Sequence, residues 1–416
     1  MTSTPAQPSL RPFPRARSQD NPFDPHPDYA NYIEERREQG AGLPLVACPA
    51  GINAYLATDY QTVRTVMSHP KTSAVAGSCG HARLGYDFDQ EISTGNILQL
   101  DGDAHSRVRR LLIPEFSVPR MRALQPYIER IVAEHIDALL AQGPGPVDFV
   151  DAFAVSIPAL VIAELLGVPP EDRDDFQRWA FTLMDTDQPM DELAEFAKPL
   201  TDYVGAFCYK QMQQPDENTL MGRLVISGKG ELTLDELVEI GIILLLAGHD
   251  TTANMIALTT LALLENPEQF ALLRDDPSLA ESAVEEMMRY HSPVQFGILR
   301  KATEDITLAD TTVKAGEWII GALSAANRDP EVFGPEPDSV DVTRPRVGGR
   351  SQLAFGFGVH QCIGQNLARV ELVEVARQLY RRIPTLRLAV PLAQIEFKES
   401  SLVYGPKSMP VAWDVH

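Results

Sequence analysis

Residues 351–369, SQLAFGFGVHQCIGQNLAR, place one cysteine, Cys362, between a glycine-rich stretch and a predicted helix. Phe355, Gly358, Cys362 and Gly364 follow the pattern F-x-x-G-x-x-x-C-x-G. Glycines on both sides let the backbone turn sharply and come close to a flat ligand. The apolar residues after Gly364 predict a helix, and a thiolate at a helix N-terminus is stabilised by the macrodipole and by free backbone N–H groups. These conditions suit a cysteine that serves as a metal ligand.

A lone cysteine is, on general grounds, more often a small buried hydrophobic residue. The pattern around Cys362 nevertheless resembles the heme-binding signature of the cytochrome P450 family. The resemblance implies that Cys362 is the axial thiolate ligand of a heme b iron. It also implies that Phe355, Gly356 and Gly364 contact the heme, and that the protein is a monooxygenase with O2 as co-substrate.

A second unusual stretch, residues 247–252 (AGHDTT), lies in the middle of a long predicted helix. Glycine in a helix interior costs about 1 kcal/mol relative to alanine, and a buried aspartate is unfavourable unless it is paired. A kinked core helix with satisfied threonines explains such a stretch, and so does a functional site. It resembles the oxygen-activation motif of the same family. This implies that Ala247 and Gly248 face the heme, that Gly248 leaves space for O2, and that Asp250 and Thr251 are the catalytic acid–alcohol pair that relays protons.

His105 and Arg109 are spaced one helical turn apart, so they share a helix face. Two polar residues with this spacing commonly form a solvated face. The resemblance instead matches them to a pair that binds a heme propionate through charge-assisted hydrogen bonds. It matches Arg300 and His360 to two further propionate-binding positions.

Glu286 and Arg289 place opposite charges at i and i+3 of a helix predicted over residues 280–290. Alone, such a pair is usually a surface ion pair worth about 0.2–0.5 kcal/mol. The resemblance makes it the E-x-x-R element of the family, with Arg344 as the third member of a structural triad. A fully satisfied triad would fix the loop that carries Cys362.

The longest periodic segment spans residues 233–266 and is predicted to be one buried helix. Thr233 and Glu236 form a capping box at its start, and Asn266 precedes a proline at its end. About 30 residues at 1.5 Å each give a rod of roughly 45–50 Å, the width of a whole globular protein. The other elements therefore have to pack around this helix.

The remaining pattern predicts a mainly α fold with minor β. Helices are predicted at 60–69, 121–142, 150–166, 171–184 and 191–213, a short β-hairpin at 43–57, and short strands at 293–304, 317–322, 386–390, 394–397 and 402–404. The resemblance covers the chain from about residue 40 to its end, and implies the cytochrome P450 fold with the long central helix over the heme. We expect a flexible N-terminal leader over residues 1–20 and a single large domain over residues 21–416.

Composition excludes several classes of partner. The 416 residues carry a net charge of −21, which argues against nucleic acid or an anionic membrane surface as a main partner. The longest apolar run, residues 240–248, is far shorter than the ~20 residues needed to cross a bilayer. Four cysteines without C-x-x-C spacing fit a reducing, cytoplasmic compartment. We expect a monomer.

The resemblance implies hydroxylation of a hydrophobic small molecule, such as a secondary metabolite, a sterol-like compound, a polyketide or a xenobiotic. Electrons would come from NAD(P)H through a ferredoxin reductase and a ferredoxin that docks on a basic patch. That patch is predicted around Arg107, Arg109 and Arg110.

The substrate pocket is predicted by position. Its expected lining is Leu244, Val294, Ile298 and Leu402, together with the loop 71–96. Core packing explains each of these side chains equally well.

Two alternatives remain open at this stage. A peroxide-driven peroxygenase would keep the heme but dispense with the acid–alcohol pair, so Asp250 and Thr251 count against it. A non-catalytic heme-fold protein that recruits a biosynthetic carrier would be expected to lack Cys362 or Thr251, and both are present.

Overall fold

The computed structural model of the chain describes residues 10–13, 17, 21–40, 42–48, 51–74, 95–184, 190–345 and 351–414. Helices dominate, as the sequence predicts. They are α1 (Asp28–Gln39), α2 (Tyr60–Ser68), α3 (Gly102–Leu112), α4 (Val118–Ala141), α5 (Ser156–Leu166), α6 (Arg173–Met184), α7 (Met190–Gln213), α8 (Leu220–Gly228), α9 (Leu234–Glu265), α10 (Pro267–Asp275), α11 (Ala280–His291), α12 (Leu323–Ala326), α13 (Pro330–Phe333) and α14 (Gln365–Arg382). A π-helical turn, Val150–Ala154, leads into α5.

Short strands make up the minor β part. They are β1 (Arg11–Pro12), β2 (Leu45–Ala47), β3 (Asn53–Ala57), β4 (Thr72–Ser73), β5 (Val147–Asp148), β6 (Ile298–Ala302), β7 (Ile306–Leu308), β8 (Thr311–Val313), β9 (Trp318–Gly321), β10 (Arg387–Leu388) and β11 (Pro410–Ala412). The largest sheet has the order β1-β2-β3-β9-β6-β4, and β10-β11-β5 form a second sheet. The predicted hairpin over residues 43–57 is the antiparallel pair of β2 and β3.

The helix α9 is the centre of the fold. Thr233 accepts a hydrogen bond from the Glu236 backbone N–H at 3.2 Å and Glu236 accepts one from the Thr233 N–H at 3.0 Å, so the predicted capping box is present. Its 32 residues make a rod of about 48 Å. The rod packs against α5, α7, α11 and α14. It is long and apolar enough to cross a membrane by composition, but 61% of its most apolar window is buried inside the protein, as expected for a core helix.

Some predicted strands differ from the structure. The strand predicted over 293–304 is limited to β6, because residues 292–297 before it form turns and a single bridge between Val294 and Val403. Residues 394–397 are not a strand: a 3-10 turn, Leu392–Gln394, is followed by an isolated bridge between Phe397 and Pro406. Short apolar runs fit both conformations, and here contacts with the rest of the chain decide.

The leader predicted over residues 1–20 lies mostly outside the described residues, but its described part is packed on the domain. β1 pairs with β2 in parallel. Arg17 is buried and donates to the carbonyls of Phe23 at 3.1 Å and His291 at 2.9 Å. The described residues Arg11, Pro12 and Arg17 of the predicted leader therefore contact the folded part of the chain.

Candidate active site

The loop that precedes α14 is closed on itself. The Cys362 N–H donates to the Phe355 carbonyl at 2.8 Å. Gly356 and Gly358 have φ values of 71° and 79°, which side-chain-bearing residues rarely adopt. A Cβ on Gly358 would also lie 2.9 Å from the Met67 carbonyl oxygen. The two glycines are therefore needed for this backbone, and they place Cys362 just before the first turn of α14.

Cys362 is exposed, but to an internal cavity that it helps to line. Burial raises the pKa of its thiol, while the backbone N–H groups of Gly364 and Gln365 and the charges of Arg109 and Arg369 lower it. The net effect is a raised pKa, so the helix N-terminus alone does not hold a thiolate here. A metal cation deprotonates a coordinating thiol outright. The N–H donors and positive charges around Cys362 would stabilise the thiolate that results.

The cavity has a volume of about 840 Å³ and is lined both by α9 and by the Cys362 loop. Sites for cofactors and small ligands commonly fall between about 300 and 1,000 Å³. Every residue predicted to contact heme, oxygen or substrate lines it: His105, Arg109, Leu244, Ala247, Gly248, Asp250, Thr251, Val294, Ile298, Arg300, Phe355, Gly356, His360, Cys362, Gly364 and Leu402. Of the predicted loop 71–96, residues 75–94 lie outside the described residues, and Asn96 contributes to the lining together with the adjacent Ile97 and Leu98.

Basic side chains gather at one edge of this cavity. Arg109 Nη2 donates to the Gln361 carbonyl at 2.7 Å, and Arg300 is buried beside it in the lining. The rings of His105 and His360 lie 4.1 Å apart between centroids. A guanidinium has five N–H donors, so both arginines keep donors that a ligand can use.

His105 indicates that, among the described residues, this edge of the cavity lacks a hydrogen-bond acceptor for His105 Nε2. The side chain is buried, and its Nε2 has no hydrogen-bond partner among the described residues. Burial, together with the nearby charges of His360, Arg109 and Arg300, lowers the pKa of His105 to about 4, against the opposing charge of Asp101. Asp101 Oδ1 already lies 3.2 Å from His360 Nε2, and a further carboxylate placed here would supply an acceptor for His105 and more negative charge. The propionates of heme are such carboxylates, so the residues present fit that group.

The acid–alcohol pair lies on the part of α9 that lines the cavity, and the helix is continuous there rather than broken. The Thr251 hydroxyl donates to the Ala247 carbonyl at 2.8 Å. Asp250 Oδ1 accepts from Asn254 Nδ2 at 2.7 Å. Burial raises the pKa of Asp250, and Lys398 and Asn254 oppose that shift.

Gly248 is not required by packing within the protein. Among the described residues, a Cβ at this position would meet only Ile162, at 3.6 Å and 3.9 Å, which are ordinary contact distances. If glycine is required at position 248, a ligand in the cavity must therefore be the reason, and not a neighbouring side chain.

The structural triad is formed as predicted. Arg289 donates from Nε and Nη2 to the two oxygens of Glu286 at 2.7 and 2.8 Å, and Arg344 Nε lies 3.1 Å from each of them. Arg289 Nη1 also donates to the Asn327 carbonyl at 3.0 Å. Asn327 Oδ1 in turn accepts the Leu353 N–H at 2.7 Å. The triad thus does not touch the cavity but holds the chain that leads into the Cys362 loop.

The predicted basic patch is largely neutralised. Arg107 is ion-paired with Glu236, and Arg110 lies 2.9 Å from Glu231. Arg109 points into the cavity edge described above. The sequence could not show this, because both glutamates lie more than 120 residues from the arginines that they pair with.

Several site residues were missed by sequence reasoning. Arg369 stacks over the Phe355 ring at 4.4 Å and is paired with Glu285. Glu371 is buried in the cavity lining, with Oε2 unpartnered among the described residues, and burial raises its pKa well above the ordinary value. Arg369 and Glu371 follow Cys362 on one predicted helix, and that periodicity was the available signal. Lys398, the ion-pair partner of Asp250 at 3.7 Å, gave no local signal.

The helical fold around α9, the cysteine at a helix N-terminus and the basic cavity edge together define the class of heme-thiolate proteins. Comparison with known proteins leads to the same class. A family model described as cytochrome P450 matches residues 173–382. Cytochrome P450-SU2 of Streptomyces griseolus is 39% identical over 409 residues, covering 98% of each chain.

Two further relatives extend the comparison. Vitamin D(3) 25-hydroxylase of Pseudonocardia autotrophica is 38% identical over 397 residues, covering 93% of each chain. The crystal structure of CYP105P1 in complex with filipin I superposes with a TM-score of 0.88 at 38% identity, covering 98% of this chain and 100% of the other. The chain belongs to the cytochrome P450 family. It is a monooxygenase of the bacterial, actinobacterial type, with heme b as cofactor and O2 as co-substrate.

Proposed function

We propose that this protein hydroxylates a largely apolar small molecule held between α9 and residues 400–403, with Cys362 as the residue that would hold the heme iron. When bound, the heme would supply the activation of O2 for insertion of one oxygen atom into a C–H bond, and the Cys362 thiolate would supply electron density to the iron. The observation that carries the proposal is that Cys362 and the Asp250–Thr251 pair line the same cavity.

Side chains of the protein would orient the heme and transfer protons. His105, Arg109, Arg300 and His360 would bind the propionates and so fix the orientation of the ring. Thr251 donates its proton to a carbonyl of its own helix, which leaves the lone pairs of its oxygen free to accept a hydrogen bond from the cavity. Asp250, whose pKa is raised by burial, is suited to take up a proton more readily than an exposed aspartate and to pass it on.

The cavity wall supports an apolar substrate with few polar groups. Leu244, Val294, Ile298 and Leu402 supply apolar surface, while the polar side chains near Leu402 are those of Ser400 and Ser401. Vitamin D(3), named for one relative, is a hydrophobic molecule with a single hydroxyl group and supports a substrate of this kind. The class of substrate is therefore a hydrophobic metabolite that offers a hydroxyl or carbonyl group to the loop.

Electrons are proposed to arrive from NAD(P)H through a ferredoxin reductase and a ferredoxin, with the protein working as a cytoplasmic monomer. Since Arg107 and Arg110 are ion-paired, free positive charge for an acidic ferredoxin has to come from elsewhere. Arg120 and Arg122 on the first turns of α4 are exposed and carry no ion pair with a described residue. Asn366, four residues after Cys362, donates to the Phe116 carbonyl at 3.0 Å, which places that end of α4 beside the Cys362 loop.

A paired substitution at Thr251 tests the proposed function. Substrates are first found by screening hydrophobic compounds for a shift of the heme spectrum. In Thr251→Ala, NADPH consumption should continue while most of the electrons appear as hydrogen peroxide; Thr251→Ser, which keeps the hydroxyl, should restore product. Product per NADPH that is equal in wild type and Thr251→Ala would remove Thr251 from proton delivery.

A further inference from the structure

The carboxylate of Asp250 has a cationic neighbour from the far end of the chain. Lys398 Nζ lies 3.7 Å from Asp250 Oδ1, and the two side chains are 22% and 17% exposed. Since 3.7 Å is longer than a tight charge-assisted hydrogen bond of about 2.7–2.9 Å, the pair is loose. Asn254, one turn further along α9, is the tighter partner of the same oxygen.

The loop that carries Lys398 also forms part of the cavity wall. Phe397 and Pro406 form an antiparallel bridge, and the Lys398 N–H donates to the Gly405 carbonyl at 2.9 Å, so residues 397–406 make a narrow hairpin-like loop. Its tip, residues 400–403, lines the cavity. One short loop therefore supplies both a surface for the substrate and the cation beside Asp250.

This loop is seated on α9 and on the chain that leads into β6. A Cβ on Gly405 would lie 2.0 Å from Asn254 Oδ1, so the loop backbone lies directly against the helix. Gln295 Nε2 donates to the carbonyls of Lys398 and Glu399 at 3.2 Å each. These bonds anchor the backbone of Lys398 and Glu399 to Gln295. Lys398 lies only two residues before the tip of the loop, so a substrate that displaces the tip strains the backbone that carries Lys398.

Lys398 has a second carboxylate within its electrostatic reach. Asp151 lies in the π-helical turn Val150–Ala154 and is exposed. Burial and the charge of Asp148 raise the pKa of Asp151, and the charge of Lys398 opposes that shift. His249 also faces this region, with Nε2 3.2 Å from the Val155 carbonyl, and its pKa of about 4 keeps it neutral at pH 7. If Lys398 moves away from Asp250, it can still interact with the carboxylate of Asp151.

We propose that Lys398 is a positioning residue for Asp250, and that loop 397–406 couples filling of the cavity to proton uptake by Asp250. While Lys398 stays beside Asp250, its positive charge favours the charged form of the carboxylate. A substrate that displaces residues 400–403 draws Lys398 toward Asp151, and Asp250 then takes up a proton from solvent. This inference rests on the proposed function, in which Asp250 relays protons.

The test follows the protonation of Asp250 directly, in the ferric heme-loaded protein without turnover. The carboxyl C=O stretch of Asp250 is assigned by its loss in Asp250→Asn and then titrated by infrared difference spectroscopy. Lys398→Met, which keeps the length of the side chain but not its charge, should raise the protonation midpoint by about one pH unit, roughly a tenfold change in proton affinity. Lys398→Arg should keep the wild-type midpoint.

A charge control and a probe of the cavity complete the test. Lys407→Met removes an exposed positive charge from just beyond the same loop and should leave the midpoint unchanged. Adding 4-phenylimidazole, which fills the cavity by binding the heme iron, should raise the wild-type midpoint and leave that of Lys398→Met where it is.

Equal midpoints in wild type and Lys398→Met, or an equal effect of 4-phenylimidazole on both, would overturn the inference. Because no turnover is involved, these results are separate from the fate of the proposed function. A protein without hydroxylase activity can still show the shift, and an active hydroxylase can fail to show it.

Discussion

Asn327 accepts the backbone N–H of Leu353 at 2.7 Å, and this bond joins the buried ion pairs to the loop that carries Cys362. The backbone carbonyl of Asn327 accepts a hydrogen bond from Arg289. The side-chain Nδ2 of Asn327 donates to the Ser292 hydroxyl at 2.7 Å. Asn327 itself is fully buried. A single amide thus connects α11, the end of α12 and the approach to the proposed heme ligand.

Removal of this amide should loosen the loop. Asn327→Ala leaves the buried Leu353 N–H without its acceptor, which costs about 1–3 kcal/mol. We expect a lower urea midpoint and faster transfer of hemin to apomyoglobin. Asn218→Ala, at an exposed position, is the control and should change neither. Hemin transfer at the wild-type rate in Asn327→Ala would show that the loop does not depend on Asn327.

The triad itself can be tested with two glutamates of one helix. Glu286→Gln removes the charge that two guanidinium groups share, and breaking a buried pair of this kind costs about 3–5 kcal/mol. Glu281→Gln acts on a pair with Arg377 at 3.3 Å in which the glutamate side chain is 78% exposed, and should cost at most about 1 kcal/mol. Urea unfolding of both variants measures the difference. Equal losses would mean that the triad does not carry the stability assigned to it.

The buried His249 should make the stability of the folded protein sensitive to acid. Burial lowers its pKa in the folded protein to about 4, whereas an unfolded histidine titrates near 6.5. Between these values the unfolded state binds more protons, so the contribution of His249 to stability is complete above pH 6.5 and is lost as the pH falls toward 4. From pH 7 to pH 5 wild type should lose roughly 1–2 kcal/mol more than His249→Gln. Urea midpoints at the two pH values test this, and parallel losses would contradict it.

Much of the site could be predicted because its signals are local. Three of these signals are patterns of a few neighbouring residues: the spacing around Cys362, the acid–alcohol pair in α9 and the capping box of Thr233. Each pattern determines the backbone conformation of its own segment. The family resemblance then supplied the long-range relations, such as Arg344 with Glu286, that spacing alone does not contain.

The contacts that sequence reasoning missed are those between remote segments. Lys398 lies 148 positions after Asp250, and no local pattern marks it as a partner. The helix α8 (Leu220–Gly228) was not predicted, because it is short and contains Gly222 and Gly228, and glycine disfavours a helix. The ion pairs of Arg107 and Arg110 were missed for the same reason as Lys398, and they changed the interpretation of the basic patch.

The central claim is that the sulfur of Cys362 binds the heme iron. The most direct measurement is the absorption spectrum of the reduced, carbon monoxide-bound protein in wild type, in Cys362→Ala and in the control Cys48→Ala, which changes a buried cysteine that does not line the cavity. Wild type and Cys48→Ala should show the band typical of a thiolate-ligated heme, and Cys362→Ala should lose it. Retention of that band in Cys362→Ala would show that another residue holds the iron.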